Sequence, residues 1–306
     1  MILGDCVIFG DSGGIFCTLT VTTSPGAFVS AALGSKIVSA TADKSGVAVL
    51  TLREEGIWTV TATDGELSKS ADVDTTYQIN KPLTLADATF ANNSWATISN
   101  VAKSGLASSL WNIGDTRQLT IGGETYTAQI VAFDQYDVAD SAQYGRAKAG
   151  ITFHLTESLP TSQPMNSTVT VSGGWGSSAL RTYCNGTLLT TLDSELQNVI
   201  TPVLVPYTAG KTTAISTVED KLFVPSEYEI FGTVGSGYAA EGNRFDYYAS
   251  GNAVTKSVHG YSSKYNYWTR SVYNGNGTLF ITVSASGAAS GTSPSTKTYV
   301  CPAFCL

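Results

Sequence analysis

The stretch from Tyr261 to Tyr299 is the strongest constraint on what this chain can fold into. It is built largely from Ser, Thr, Gly, Asn and Tyr, yet it holds Trp268, Arg270 and the alternating run Thr278-Leu279-Phe280-Ile281-Thr282-Val283. A flexible linker shares the Ser/Gly content but not the aromatic residues or the alternation, which marks a strand. Beyond it comes the apolar run Tyr299-Val300-Cys301-Pro302-Ala303-Phe304-Cys305-Leu306, and no Asp or Glu follows Asp246. Tyr and Trp supply large rigid contact area while Ser, Gly and Asn supply adaptable hydrogen bonding, a composition that suits a binding surface better than a catalytic centre.

With 306 residues the chain has room for two domains, each with a core of its own. Only 13% of residues are charged and 42% are apolar, so uncharged polar groups must cover most of the surface. That pattern suits an extracellular or virion-type protein rich in strands and loops, and it excludes a disordered chain. The net charge of −7 is unevenly placed, because residues 1–78 hold nine acids against four bases. An acidic chain without a Lys/Arg cluster lacks the phosphate-neutralising groups that nucleic-acid binding needs. No run approaches the roughly 18 apolar residues of a membrane span, so membrane insertion is not expected. Met1-Ile2-Leu3-Gly4-Asp5-Cys6 lacks the basic and apolar regions of a secretory signal, which points to exit in an assembled particle or by lysis. The five cysteines, Cys6, Cys17, Cys184, Cys301 and Cys305, are odd in number and irregular in spacing, unlike a disulfide framework.

The first region, to about Thr76, reads as an all-β module. Strands are expected at Phe16–Thr22, Ala27–Ala32, Val47–Leu52 and Trp58–Thr63, with turns at Ser24-Pro25-Gly26, Asp43-Lys44-Ser45-Gly46 and Asp64-Gly65. The order of these strands and turns, with Thr41, Asp43, Gly46, Gly56, Trp58, Thr59 and Val60 at turn and strand places, resembles the small immunoglobulin-like sandwiches of bacterial surface and phage structural proteins. A linker is expected around Lys81-Pro82. The next segment predicts a helix capped by Asn93 or Ser94 and stopped by Gly105. A hairpin follows, with Leu119–Ile121 and Thr125–Phe133 joined by Gly122-Gly123, and then a strand at Ile151–Leu155. Helices are expected at Ser177–Thr190 and Asp193–Ile200, and extended chain around Lys221–Pro225 and Tyr228–Gly232.

A second resemblance is carried by an ordered series of short motifs: Gly173-Gly174-Trp175, Ser178-Ala179-Leu180-Arg181-Thr182-Tyr183, Asn185-Gly186, Lys221-Leu222-Phe223, Ser226-Glu227, Ile230-Phe231-Gly232, Tyr267-Trp268, Arg270-Ser271 and Pro302-Ala303-Phe304-Cys305-Leu306. The series resembles an uncharacterised domain family of gut bacteria and their phages. That family is similar to a branch of the C-type-lectin-like fold shared by formylglycine-generating enzymes and the variable proteins of diversity-generating retroelements. The resemblance covers about residues 86–306. It implies an α+β class: a C-type-lectin-like domain at 86–306, preceded by an immunoglobulin-like β-sandwich at 1–78 and a linker at 79–85. It further implies that Val272 to Tyr299 carries the ligand-facing positions, namely Tyr273, Asn274, Asn276, Thr278, Thr282, Ser284 and Ser286, with Tyr299 near the far end, and that Phe280 and Val283 are framework.

Catalytic readings find little support in the residues. Cys301 and Cys305 are the only close cysteine pair, and in an extended run they lie about 13 Å apart at ~3.3 Å per residue, beyond disulfide or shared-metal reach. His154 and His259 stand far apart without HExxH or CxxC, so no zinc site is expected, and His154 reads as a satisfied, partly exposed strand residue. Asp134, Asp137 and Asp140 could offer calcium ligands in a loop but do not form an EF-hand pattern. Glu227 and Glu229, if on a strand, share a face at ~7 Å as in inverting glycosidases; in the resemblance Glu227 instead holds a buried framework place. Arg181 and Arg270 fit internal arginines paired with a carboxylate or carbonyls. Of the aromatic set Tyr247, Tyr248, Tyr261, Tyr265, Tyr267 and Trp268, some must be exposed, since no single strand buries so many.

The expected function is therefore non-catalytic recognition, with no catalytic residue, metal or cofactor. The protein is expected to be a phage tail or fibre-tip protein, or a retroelement-diversified variable protein, in a virion. It would bind a bacterial cell-surface protein or glycan through its C-terminal segment. Its N-terminal module would join virion or tail proteins or sister copies in a homo-oligomer, and neither nucleic acid nor membrane is a partner. A bacterial surface adhesin, and an enzyme of the formylglycine-generating kind, are the alternatives.

Overall fold

A computed structural model describes residues 2–11, 14–54, 56–75, 86–275 and 278–306. The chain divides into two compact units, Met1–Ala86 and Asp87–Leu306. The segment expected to be a linker, 79–85, lies outside the described residues.

The first unit is built from two antiparallel sheets. One orders Ile2–Asp11, Gly14–Thr22 and Val47–Leu52; the other orders Lys36–Thr41, Phe28–Leu33, Ile57–Asp64 and Leu67–Asp74. Alternation sends Ala48, Leu50, Leu52, Trp58, Val60 and Ala62 into one shared core with Leu19, Val21, Val29 and Val73. The outward positions of the larger sheet pair across strands through hydroxyls and carboxylates, Thr59 with Asp72 at 2.7 Å and Thr61 with Ser70 at 2.7 Å. Gly46 closes the Asp43 turn at φ 79°, where a Cβ would stand 2.1 Å from the Thr23 carbonyl oxygen. The sequence showed four of these seven strands. Ile2–Asp11 was one of the three it did not show, and the other two, Lys36–Thr41 and Leu67–Asp74, bury almost nothing: only Val73 of these two strands is buried, so apolar alternation is weak. The register sets Cys6 opposite Leu19 and Cys17 opposite Ile8, so the two cysteines are not cross-strand neighbours.

The second unit centres on an antiparallel sheet in the order Leu222–Phe223, Ala303–Cys305, Ile151–Leu155, Glu124–Phe133 and Thr116–Ile121. Every residue of Ile151–Leu155 is buried. The helix Trp95–Ser104 lies against this sheet, with the Trp95 ring 5.6 Å from Phe153 and 5.9 Å from Phe304. Its start and stop are the expected ones: the Ser94 hydroxyl accepts from the Thr97 amide, and Gly105 takes the left-handed conformation at φ 79°. The glycine pair Gly122-Gly123, at φ 60° and 90°, makes the tight turn of the expected hairpin.

The α+β, C-type-lectin-like class is overturned. Strands hold 38% of the residues and helices 19%, and the strands are spread over several small sheets. The longest helix among the described residues has ten residues, and none is long and apolar enough to cross a membrane. The expected helix at 177–190 is a relay of short turns: 3-10 at Trp175–Ser177, α at Ala179–Tyr183, π at Cys184–Leu188 and 3-10 at Leu189–Thr191. Asn185 helps explain the break in regularity: its amide bonds Asp220 and the Leu222 carbonyl while its oxygen accepts from Lys221 and Leu222. The stretch at Tyr228–Gly232, expected to be extended, is helical instead. Ser226 caps the helix Glu227–Phe231 in a reciprocal capping box with Glu229.

Candidate functional site

The strand Tyr267–Val272 is the spine of the candidate site, and all six of its residues are buried. From its middle, Arg270 projects into the interior, where each of its five N–H donors finds an acceptor. Nη1 and Nη2 grip the Glu229 carboxylate at 2.7 and 2.6 Å; the remaining donors go to the carbonyls of Pro206, Val224 and Glu241. Glu229 is saturated in turn, accepting also from the Tyr136 hydroxyl at 2.5 Å and the Ser226 amide at 2.9 Å. Beside this pair, Glu241 accepts from the Thr208 amide and hydroxyl and from the Ser271 hydroxyl. Glu227 accepts from the amides of Ser236 and Gly237. Burial pushes the carboxyls of Glu227 and Glu241 above their ordinary range. These two acids close the 236–241 loop onto the spine, and the Asn274 amide reaches across to the Ser236 carbonyl at 2.7 Å.

A second buried cluster holds the Gly173-Gly174-Trp175 turn. Asp220 accepts from Trp175 Nε1 at 2.8 Å, Arg181 Nε at 2.7 Å and Asn185 at 2.9 Å. Burial outweighs these donors and raises the Asp220 carboxyl to about 6. The folded state then keeps a proton that the unfolded chain has released, so this group's contribution to stability is fully present below about pH 4 and falls as pH rises to about 6. We expect the unfolding free energy of the wild type relative to Asp220→Asn to be higher at pH 4 than at pH 7 by up to about 3 kcal/mol, measured by urea titration. A difference that grows with pH would show that the carboxylate form is the stabilised one.

The spine pairs with Phe280–Val283, which pairs with Ala289–Thr292. The expected ligand-facing residues separate along this small sheet. At one end, Tyr273 is half-buried and Asn274 and Thr278 are exposed; Asn276 lies outside the described residues. The Tyr273 ring lies over Gly291, where a Cβ would come within 3.3 Å of it. At the other end, Ser284 and Ser286 sit in the turn before Ala289–Thr292, their hydroxyls 3.0 Å apart. Tyr299 packs edge-on against Tyr265 at 5.2 Å beside that turn. The two groups lie about 17 Å apart along extended chain, counting five steps of ~3.3 Å from residue 279 to 284. Thr282, between them, is a correction: it is fully buried, and its hydroxyl bonds the Ser290 carbonyl and the Thr292 hydroxyl, so it belongs to the sheet and not to the exposed face.

Near Tyr299 the fold assembles a cleft of about 330 Å³ that the sequence did not reveal, lined by Lys264, Tyr265, Asn266, Lys297 and Tyr299 with Ser162. Tyr261, 62% exposed, extends the aromatic surface, its ring 6.5 Å from that of Tyr265. Tyr248, Tyr267 and Trp268, by contrast, are core residues. The acid-free tail was the one signal that could have singled out Lys264 and Lys297.

The remaining chemical candidates are engaged elsewhere. His154 is fully buried, unlike the partly exposed residue expected; its ring bonds the Tyr248 hydroxyl at 2.7 Å and the Cys301 carbonyl at 3.2 Å, and burial holds its pKa well down. Glu227 and Glu229 sit on a helix, each enclosed in its own bonds, and not on a strand face. Asp134 pairs with Arg146, Asp137 with Lys148, and Asp140 caps the helix Ser141–Tyr144. Cys184, Cys301 and Cys305 are buried free thiols, and burial raises the pKa of Cys301 and Cys305 to about 12. Among the described residues no group of three or more His, Cys, Asp or Glu is arranged to hold a metal ion.

Fold and site together define a β-rich, two-unit protein whose second unit carries exposed loops on a saturated internal polar framework. The family model for DUF6273, a domain of unknown function, matches residues 149–306, just over half of the chain. The chain belongs to that family, and the matched span contains every member of the Arg270 framework except Tyr136. No curated protein matches the chain, and no solved structure does.

Proposed function

We propose that this chain is a non-catalytic binding protein that recognises a bacterial surface ligand through the exposed ends of the Tyr267–Val272 sheet. The setting is a phage tail or fibre tip, with the first unit serving attachment or assembly. One observation carries the reading: the buried acids and arginines spend their hydrogen bonds on one another and on the backbone, while the groups left at the surface are Tyr, Asn, Thr, Ser and Lys. Such residues adapt to a ligand without activating a bond.

The test is fluorescent labelling of a panel of bacterial cells with the full chain. Labelling of at least one strain is expected. A Tyr265→Ala/Tyr299→Ala variant should lose at least about tenfold in apparent affinity, as for central aromatic contacts, with an unchanged urea midpoint confirming that it folds. An Asn274→Ala/Thr278→Ala variant reports on the other end of the sheet. Undiminished labelling by both variants would place the binding surface elsewhere, and absence of labelling on every strain would count against the function itself.

A further inference from the structure

Resting on the binding reading above, we infer that the cleft between Tyr265 and Tyr299 takes an anionic sugar, a pyranose bearing a carboxylate, sulfate or phosphate.

The shape comes first. The Tyr265 and Tyr299 rings meet at 61° with centroids 5.2 Å apart, so they form an open corner and not a flat stack. A pyranose presents one C–H-rich face and a rim of hydroxyls, and such a corner can hold the face on one ring and an edge on the other. The volume of about 330 Å³ lies at the small end of the roughly 300–1,000 Å³ range of ligand clefts. That suits one or two sugar units. Among the described residues Ala285 is the only aliphatic one lining the cleft, so an apolar peptide anchor would find no floor to bury against.

Polar groups are placed to read hydroxyls. Asn266 uses its side-chain oxygen to accept from the Ala285 amide at 2.9 Å, which fixes the side chain and leaves its NH₂ as a donor. Ser162 also lines the cleft, next to Gln163, whose backbone is paired with that of Thr298.

Charge then selects the sugar. Among the described residues Lys264 and Lys297 both line the cleft, no carboxylate does, and neither lysine belongs to an ion pair. The acid in register with Lys264, Glu157 two strands away through Ser257, is hydrogen-bonded to His259, and the chain as a whole carries −7. Two ammonium groups flanking an aromatic corner form a local positive site on an acidic protein. A nucleic acid would need several more phosphate contacts than this and would meet the negative remainder. A single acidic sugar needs no more than the two.

The experiment is a glycan array probed with the full chain, holding uronate-, sialate-, sulfate- and phosphate-bearing glycans beside their neutral counterparts. Bound glycans are expected to carry an acid, and the array identifies which. Lys264→Gln/Lys297→Gln should weaken binding at least tenfold, and raising NaCl from low to high ionic strength should weaken it severalfold. Tyr265→Ala should abolish it. Equal binding of neutral glycans, retention of binding by the lysine variant, or equal competition by inorganic phosphate alone would overturn the assignment. If no glycan binds while cell labelling still depends on Tyr265, the sugar is wrong and the binding face stands. If cell labelling is indifferent to Tyr265 but lost in Asn274→Ala/Thr278→Ala, the cleft falls and the other end of the sheet stands; if it is indifferent to both, both fall.

Discussion

Arg270→Met is expected to destabilise the second unit by about 3–5 kcal/mol, the usual cost of leaving one partner of a buried ion pair behind. The substitution strands the Glu229 carboxylate with only Tyr136 and Ser226 as donors. It also leaves the carbonyls of Pro206, Val224 and Glu241 without the donors that Arg270 supplies. Against a total of roughly 5–15 kcal/mol for a domain, that loss is decisive. Arg270→Lys keeps the charge but offers three donors in place of five in a fixed fork, so a substantial part of the loss should remain. Glu229→Gln on the methionine background removes the stranded charge and should recover part of it, since residues in one network couple by about 0.5–3 kcal/mol. Urea unfolding followed by tryptophan fluorescence measures all three, because Trp95, Trp111, Trp175 and Trp268 are buried in this unit. A loss below about 1 kcal/mol for Arg270→Met would mean that water replaces the guanidinium and that the framework is not what holds the spine.

Gly174→Ala is expected to be nearly as damaging, at about 3 kcal/mol or more, for a different reason. Gly174 sits at φ 53° and ψ −145°, close to a region that only glycine occupies readily. A Cβ there would lie 1.9 Å from the Thr208 carbonyl oxygen, and that backbone is held in place by Glu241 through both the Thr208 amide and hydroxyl. Gly186, in the π turn, is the control: a Cβ added to it would meet nothing within 4 Å, and it has no positive φ. Gly186→Ala should be neutral or stabilising by about 0.4–1 kcal/mol through the unfolded state. The comparison of urea midpoints separates the need for a glycine from the mere presence of one.

How far the sequence could be read depended on whether a signal was local. Ser94, Gly105 and Gly122-Gly123 act on their own neighbours, and the helix and hairpin they delimit stand where expected. The strand Tyr267–Val272 gave no alternation because both of its faces are buried. The resemblance implied that Thr282 faces a ligand, but a third strand supplies partners for its hydroxyl and removes it from solvent. His154 looked half-exposed for the same reason that any polar residue does, and only the fold shows that Tyr248 and Cys301 satisfy both ring nitrogens. The cleft was least legible of all. Ser162, Lys264 and Lys297 are distant in sequence, and no spacing rule connects them.

The place of Ala303–Cys305 between Leu222–Phe223 and Ile151–Leu155 in the five-stranded sheet has a consequence for how the protein is made. Ile151–Leu155 and Leu222–Phe223 leave the ribosome well before the strand that must lie between them, and Phe153 waits for Phe304, whose ring it will meet at 4.9 Å. Until then both carry backbone edges with no mate, the kind of edge that captures other chains. The second unit therefore matures only after residues 303–305 have been synthesised, and the interval before that is when crowded nascent copies are most exposed to one another.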